Sequence, residues 1–97
     1  RIFVFGDMFE LGATSHEQHR KIGKKCTELE LDGVFTLGQN TIYTDSMINN
    51  GIDHKHFESH DELIHSLKEI VHSGDKILFK GSRGMAMEKV IQGVFAD

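Results

Sequence analysis

Residues 77–84 read Ile-Leu-Phe-Lys-Gly-Ser-Arg-Gly, a short apolar run followed by a basic turn with two glycines. An apolar run of this length is typical of a buried strand. Apolar residues recur at helical spacing from Met85 to Val94, so we predict a strand, a turn and then a helix. Free N–H groups at a helix start attract anions, and glycine lets a ligand approach the backbone. The turn therefore predicts a site for a carboxylate or a phosphate.

The rest of the chain alternates between short apolar runs and amphipathic segments. We predict strands at residues 2–5, 34–37, 55–58 and 76–79. We predict helices at about 14–31, 40–49, from 59 to about 71, and 84–95. Capping boxes are expected at Thr14 with Glu17, at Ser15 with Gln18 and at Ser59 with Glu62. This alternation predicts an α/β fold, a Rossmann-like three-layer domain with a parallel sheet of about four strands and helices on both faces.

Polarity predicts the order of the strands. The third strand, at residues 54–58, is His-Lys-His-Phe-Glu, which is too polar for the centre of a sheet covered on both faces. The order 3-2-1-4 places it at an edge. Ligands of open α/β sheets bind beyond the carboxyl ends of the strands, at the point where the order reverses. The loops Gly6–Ala13 and Lys80–Gly84 are then expected to face one crevice.

Length and composition set outer bounds on the protein. The 97 residues fit one domain, 1–97, and a net charge of −4 argues against non-specific nucleic-acid binding. No apolar run approaches the ~18 to 20 residues of a membrane span, so we expect no membrane partner. Cys26 is the single cysteine, which excludes an internal disulfide and favours a reducing, cytoplasmic setting. Because the chain does not begin with methionine and a predicted strand starts at its second residue, we expect a piece of a longer protein.

Two loops carry the candidate site residues. In the first, Gly6, Asp7, Met8, Glu10 and Gly12 follow strand one, and the two acids could accept hydrogen bonds from an ammonium group or orient a cation. The second contains Lys80, Gly81, Ser82, Arg83 and Gly84, whose basic and hydroxyl side chains suit a carboxylate. Glu88, one helical turn later, could meet an ammonium group. The alternative is two ordinary turns with solvated charges.

Other chemistries lack their motifs. The first loop does not have the G-x-G-x-x-G spacing of a dinucleotide site, and no phosphate-binding G-x-x-x-x-G-K-[ST] segment is present. Seven histidines include the pairs His16/His19 and His54/His56, but neither pair has an obvious third ligand. We therefore predict no metal site, solvated surface histidines and no catalytic residue in this chain.

Two motifs together carry a family resemblance. Residues 5–12 read Phe-Gly-Asp-Met-Phe-Glu-Leu-Gly and are followed by a helix containing His16 and His19; residues 80–88 read Lys-Gly-Ser-Arg-Gly-Met-Ala-Met-Glu. At this separation they resemble the C-terminal domain of the Mur ligases, most nearly of the MurF type, from end to end of the chain.

The resemblance implies a three-domain enzyme of peptidoglycan synthesis in the bacterial cytoplasm. Such enzymes use ATP and Mg²⁺, held mainly by a central domain, to convert the terminal carboxylate of UDP-N-acetylmuramoyl-tripeptide into an acyl phosphate. The amine of D-alanyl-D-alanine then attacks it. Lys80, Ser82 and Arg83 match the segment expected to receive the dipeptide carboxylate, with Gly81 and Gly84 allowing close approach. Asp7 and Glu10 match the loop that closes over the ATP site.

The resemblance also implies how the chain would behave by itself. The chain by itself would be inactive, would hold no cofactor and would be a monomer, with the central domain as its partner in cis. Three alternatives remain open. The first is an autonomous Rossmann-like module that binds an anion or a nucleotide, and the second is the same domain from another Mur-type amino-acid ligase. A receiver domain is unfavourable because strand two ends in Thr36-Leu-Gly-Gln39, without a phosphoacceptor aspartate. A purely structural interaction domain is the third alternative.

Overall fold

One parallel sheet forms the centre of the computed structural model, which describes residues 1–49 and 51–96. Its strands are β1 (Ile2–Gly6), β2 (Gly33–Leu37), β3 (Asp53–Phe57) and β4 (Ile77–Lys80). Their order is β3-β2-β1-β4, and all the neighbouring pairs are parallel. The predicted fold class and strand order are thus confirmed, with β1 in the middle and the chain reversing between β1 and β4.

Helices cover both faces of this sheet. They are α1 (Ser15–Glu28), α2 (Ile42–Asp45), α3 (His60–Ile70) and α4 (Met87–Phe95). The face toward α1 and α2 has a core of Phe3, Phe5, Cys26, Val34 and Ile48. The opposite face packs against α3 and α4 through Val4, Phe35, Leu37, Phe57, Leu63, Leu67, Met87 and Val90. Alternate residues of β1 therefore supply the two cores, as expected for a strand buried on both sides.

The two edge strands differ in character. The first three residues of β3 are exposed, in agreement with the prediction of a polar edge. β4 leaves Leu78 62 % exposed, on the face of the sheet that α1 covers. A groove of about 400 Å³ lies there, lined by apolar side chains that include Phe3, Ile22, Leu29 and Leu78. Within the described residues, no helix is both long and apolar enough to cross a membrane.

Three of the predicted helices have wrong boundaries. The last helix begins at Met87 and not near Gly84, because Arg83–Met85 forms a 3₁₀ turn and Ala86 is left-handed with φ 50°. α1 ends at Glu28, and Glu30 follows with φ 53°. α2 is a single turn in place of the predicted 40–49 helix. The predicted stop signal at Asn50 lies outside the described residues.

Side-chain capping explains the start of α3 but not the start of α1. Thr14 and Ser15 do not form capping boxes, because the 3₁₀ turn Gly12–Thr14 continues directly into α1 and leaves Thr14 without the extended backbone that a cap requires. The hydroxyl of Thr14 donates instead to the carbonyl of Leu11. Ser59 is extended and caps α3, its Oγ accepting from the N–H of Glu62 at 3.3 Å. The serine half of that predicted capping box is confirmed.

Candidate functional site

Two loops meet beyond the carboxyl ends of β1 and β4. We call residues 7–11 loop 1 and residues 80–84 the basic turn. The N–H of Ser82 donates to the carbonyl oxygen of Asp7 at 3.0 Å, and the N–H of Phe9 donates to Oγ of Ser82 at 2.7 Å. Loop 1 and the basic turn are therefore neighbours at the switch point of the sheet, as the strand order predicted.

The charged side chains of the basic turn and of the start of α4 face solvent. Lys80, Arg83 and Glu88 are exposed, and none of them takes part in an ion pair among the described residues. Glu88 lies in the first turn of α4. The structure thus gathers two cations, one acid and the Ser82 hydroxyl at an open surface, not in a closed cavity.

Part of the backbone around the basic turn is hydrogen-bonded within the protein. The N–H groups of Ser82, Met85 and Ala86 donate to the carbonyl oxygens of Asp7, Ser82 and Arg83 respectively. The α-helix begins further on, at Met87, so the predicted helix start is displaced from the turn. Arg83 and Gly84 are the first residues of the intervening 3₁₀ turn, and their N–H groups have no acceptor among the described residues. An anion at the turn could therefore contact these two N–H groups as well as the side chains.

The glycines of the basic turn and Gly6 at the end of β1 allow the protein to pack against itself. A Cβ at Gly84 would lie 2.6 Å from Cε2 of Phe9, and a Cβ at Gly81 would lie 3.1 Å from the Cα of Gly6. At Gly6 a Cβ would be 2.6 Å from Sδ of Met87. Their role in close approach is thus filled by protein atoms where a ligand was expected. Gly12 has open space but a φ of 60°, which favours glycine for conformational reasons.

Asp7 has a structural role that the sequence did not predict. Its side chain is 3 % exposed, and its carboxylate accepts from the N–H of Asn40 at 2.9 and 3.0 Å and from the N–H of Thr41 at 2.8 Å. A Cβ at Gly38, whose φ is 122°, would collide with the same carboxylate. The expectation that Asp7 would meet an ammonium group or a cation is wrong, because its carboxylate is buried and fixes the turn after β2. Glu10 is exposed, with φ 64°.

His19 is the residue that sequence reasoning placed wrongly. It was expected at the surface, but it is 1 % exposed. Its Nδ1 lies 2.7 Å from the carbonyl oxygen of Ser15, and its Nε2 lies 3.1 Å from the backbone nitrogen of Met8. A carbonyl can only accept and an amide can only donate, so Nδ1 carries the hydrogen and Nε2 is the acceptor. The spacing His19, Ile22, Cys26 follows the apolar stripe of α1 and could have revealed the burial.

The remaining histidines of the two predicted pairs have local partners. His16 stacks on Tyr43 with 4.0 Å between ring centroids. Nδ1 of His54 lies 2.7 Å from Oδ1 of Asp45, and Nδ1 of His56 lies 2.7 Å from Oγ1 of Thr36. Over the described part of the chain, no group of three or more histidine, cysteine, aspartate or glutamate side chains is placed to hold a metal ion.

Comparison with known families identifies the chain. The sequence profile described as "Mur ligase, glutamate ligase domain" matches residues 1–83. The chain belongs to the Mur ligase family. The resemblance stated from residues 5–12 and 80–88 is thereby confirmed.

Relatives and solved structures agree with this assignment. The UDP-N-acetylmuramoyl-tripeptide–D-alanyl-D-alanine ligases of Synechocystis and Buchnera aphidicola are 33 % and 34 % identical over all of this chain. MurF from Acinetobacter baumannii superposes with a TM-score of 0.86 at 27 % identity, over 100 % of this chain and 22 % of that one. MurF from Thermotoga maritima, solved in complex with ADP, gives 0.77 at 26 % identity, over 96 % and 21 %. This Mur ligase chain spans 22 % and 21 % of the two relatives.

Proposed function

We propose that this chain is the C-terminal domain of a ligase that joins D-alanyl-D-alanine to UDP-N-acetylmuramoyl-tripeptide in peptidoglycan synthesis. In this proposal the basic turn receives the carboxylate of the incoming dipeptide. The relatives that match the whole chain bear the name of this ligase. The site lies where ligands of open α/β sheets bind, beyond the carboxyl ends of β1 and β4.

The observation that carries the proposal is the hydrogen bond from Phe9 to Ser82. Oγ of Ser82 uses one lone pair to accept this N–H at 2.7 Å, so its own hydrogen is free to be donated outward. Arg83 is exposed beside it and offers a planar pair of N–H donors that matches a carboxylate. Lys80 adds a second cation at the end of β4. A serine fixed in this way and two nearby cations suit a carboxylate better than an apolar ligand.

The other end of the dipeptide is an amine, for which Glu88 is the candidate partner. It lies in the first turn of α4, just after the basic turn, and is exposed. We propose that Glu88 attracts the ammonium form of the dipeptide while the basic turn holds the carboxylate. Loop 1 would then close over the ATP site of the neighbouring domain. In this closed arrangement Asp7 keeps loop 1 in shape through Asn40 and Thr41, without touching substrate.

ATP and Mg²⁺ would be held by other parts of the longer enzyme. The turn after β4 lacks the G-x-x-x-x-G-K-[ST] pattern of a triphosphate-binding loop, and the N–H of Ser82 is already used by the carbonyl oxygen of Asp7. Bound elsewhere, ATP would supply an acyl phosphate at the tripeptide terminus. The contribution of this chain is positional: it orients the dipeptide so that its amine can reach that carbonyl carbon. We place the enzyme in the bacterial cytoplasm, as a monomer.

Phosphate release by the longer enzyme tests this function. The assay contains ATP and Mg²⁺ with one of two substrate pairs: UDP-N-acetylmuramoyl-tripeptide with D-alanyl-D-alanine, or UDP-N-acetylmuramoyl-alanine with D-glutamate. The proposal expects release, and a ligated product by mass spectrometry, with the dipeptide alone. Release with D-glutamate would support another Mur-type amino-acid ligase, which the wording of the family description leaves as the second candidate. The chain of residues 1–97 by itself is expected to release no phosphate.

A further inference from the structure

We propose that His19 is a positioning residue for the dipeptide site, acting through loop 1 on the Ser82 hydroxyl. The inference rests on the function proposed above. His19 itself is 1 % exposed and so touches no substrate. Its Nε2 accepts the N–H of Met8 at 3.1 Å, one residue before the Phe9 N–H that is donated to Ser82. The two consecutive amides of loop 1 thus tie α1 on one side to the basic turn on the other.

Neighbouring groups fix the position of the His19 ring. The carbonyl oxygen of His19 accepts the hydroxyl of Thr44 at 2.7 Å, which fixes this part of α1 to α2. Nδ1–H donates to the carbonyl oxygen of Ser15 at 2.7 Å and sets the rotation of the ring. The ring also packs near Phe5, with 5.9 Å between the centroids. With ring and helix both fixed, Nε2 presents its lone pair to loop 1 at a defined position.

Loop 1 is held by packing as well as by hydrogen bonds. Met8 packs against the core beside α1, and the Phe9 ring lies so close to Gly84 that a Cβ there would be 2.6 Å from Cε2. A cavity of about 180 Å³ nevertheless adjoins the His19 ring, lined by Phe5, Met8, Leu11, Gln18, His19 and Ile22. This space gives Met8 room to shift if its bond to Nε2 is lost. The hydrogen bond to Nε2 therefore helps to select the observed position of loop 1.

Displacement of Met8 would be transmitted directly to Phe9. Oγ of Ser82 would lose its N–H donor, and the hydroxyl could rotate to positions in which its hydrogen does not point at the dipeptide carboxylate. The longer enzyme should then bind the dipeptide less well, while ATP, held elsewhere, should be used as before. The expected signature is a raised KM for D-alanyl-D-alanine with an unchanged KM for ATP.

Two substitutions test the roles of the two ring nitrogens of His19 separately. In His19→Gln the amide oxygen can occupy the place of Nε2 and accept from Met8. In His19→Asn the amide nitrogen can replace Nδ1–H toward Ser15, but nothing reaches Met8. Each variant keeps one of the two hydrogen bonds, although asparagine is one methylene shorter than glutamine and leaves more empty space at this buried position. In the longer enzyme we expect a KM for the dipeptide about 3- to 10-fold higher in His19→Asn, from the loss of one hydrogen bond, and within about 2-fold of wild type in His19→Gln.

Amide hydrogen exchange supplies a readout that does not depend on substrate. His19→Asn should speed the exchange of both Met8 and Phe9, whereas His19→Gln should protect both nearly as in the wild type. Equal KM values in the two variants, or faster exchange at Met8 without a change at Phe9, would overturn the role of His19. If the wild-type enzyme does not use D-alanyl-D-alanine at all, the proposed function fails, and the exchange data still decide the coupling between Met8 and Phe9.

Discussion

Oγ of Ser82 accepts a hydrogen bond from the N–H of Phe9 at 2.7 Å, although the two residues are 73 positions apart in the sequence. The N–H of Ser82 returns a bond to the carbonyl of Asp7 at 3.0 Å. These two bonds join loop 1 to the basic turn and define one face of the candidate site. The stability of the site and its use of substrate should therefore both depend on Ser82.

Replacing Ser82 with alanine should weaken this junction. The N–H of Phe9 would lose its acceptor, so we expect the free energy of unfolding to fall by about 0.5–1.5 kcal/mol, the net value of one hydrogen bond. Urea unfolding of the 97-residue chain measures this change. Ser73→Ala is the matched control, because Ser73 is exposed in the turn before β4. Equal stability of the two variants would show that the Phe9 bond contributes nothing to the fold.

Asp7 should be among the polar residues most sensitive to substitution. Asp7→Ala removes the acceptor of the Asn40 and Thr41 N–H groups at a site that is 3 % exposed. Two amides left without partners predict a loss of about 2–4 kcal/mol in the free energy of unfolding. Asp53→Ala, at the exposed start of β3, should change stability by less than about 0.5 kcal/mol. A similarly small effect at Asp7 would mean that solvent reaches and satisfies both amides.

The contribution of Cys26 to the free energy of unfolding should depend on pH only in alkaline solution. Burial against the sheet disfavours the thiolate and raises the pKa of Cys26 from 9.0 to about 11. Because the folded pKa lies above the unfolded one, this contribution is fully present below pH 9 and is lost as the pH rises from 9 to about 11. Unfolding free energies of wild type and Cys26→Ala, measured across that window, should converge as the pH increases. A constant difference between them would contradict the shifted pKa.

The same burial predicts an unreactive thiol. At neutral pH the folded chain should hold Cys26 almost wholly as the thiol, which is a poor nucleophile. Iodoacetamide should therefore modify the native chain much more slowly than the chain in urea. Equal rates in the two conditions would show that the side chain is accessible in the folded state.

The sequence predicted the parts of the fold that depend on polarity along whole segments. The polar third strand placed β3 at the edge; the order 3-2-1-4, chosen because it satisfies this, predicted the meeting of loop 1 with the basic turn. Element boundaries were less predictable, because they depend on single left-handed residues. Ala86, with φ 50°, moves the start of the last helix away from the basic turn, although alanine carries no sequence signal for such a conformation.

The roles of individual polar residues were harder still to predict. Asp7 and His19 are both buried and hydrogen-bonded to backbone amides far away in sequence, 33 positions away for Asp7 with Asn40 and 11 for His19 with Met8. A charged or polar residue next to a glycine-containing loop gives the same pattern whether it faces substrate or fixes the loop. Only the three-dimensional arrangement distinguishes the two roles. Within these loops it leaves Lys80, Ser82 and Arg83 as the side chains available to an anion.

The kinetics of Arg83→Ala in the longer enzyme test whether the basic turn binds the carboxylate of the dipeptide. Loss of a charged hydrogen-bond donor to the dipeptide carboxylate predicts a KM for D-alanyl-D-alanine about 10- to 100-fold higher, with the KM values for ATP and the UDP-linked tripeptide unchanged. Lys68→Ala is the control, because it removes an exposed cation from the last turn of α3, before β4 begins. It should leave all three constants unchanged. An Arg83→Ala enzyme with a wild-type KM for the dipeptide and wild-type kcat would contradict the assignment of the basic turn as the carboxylate site.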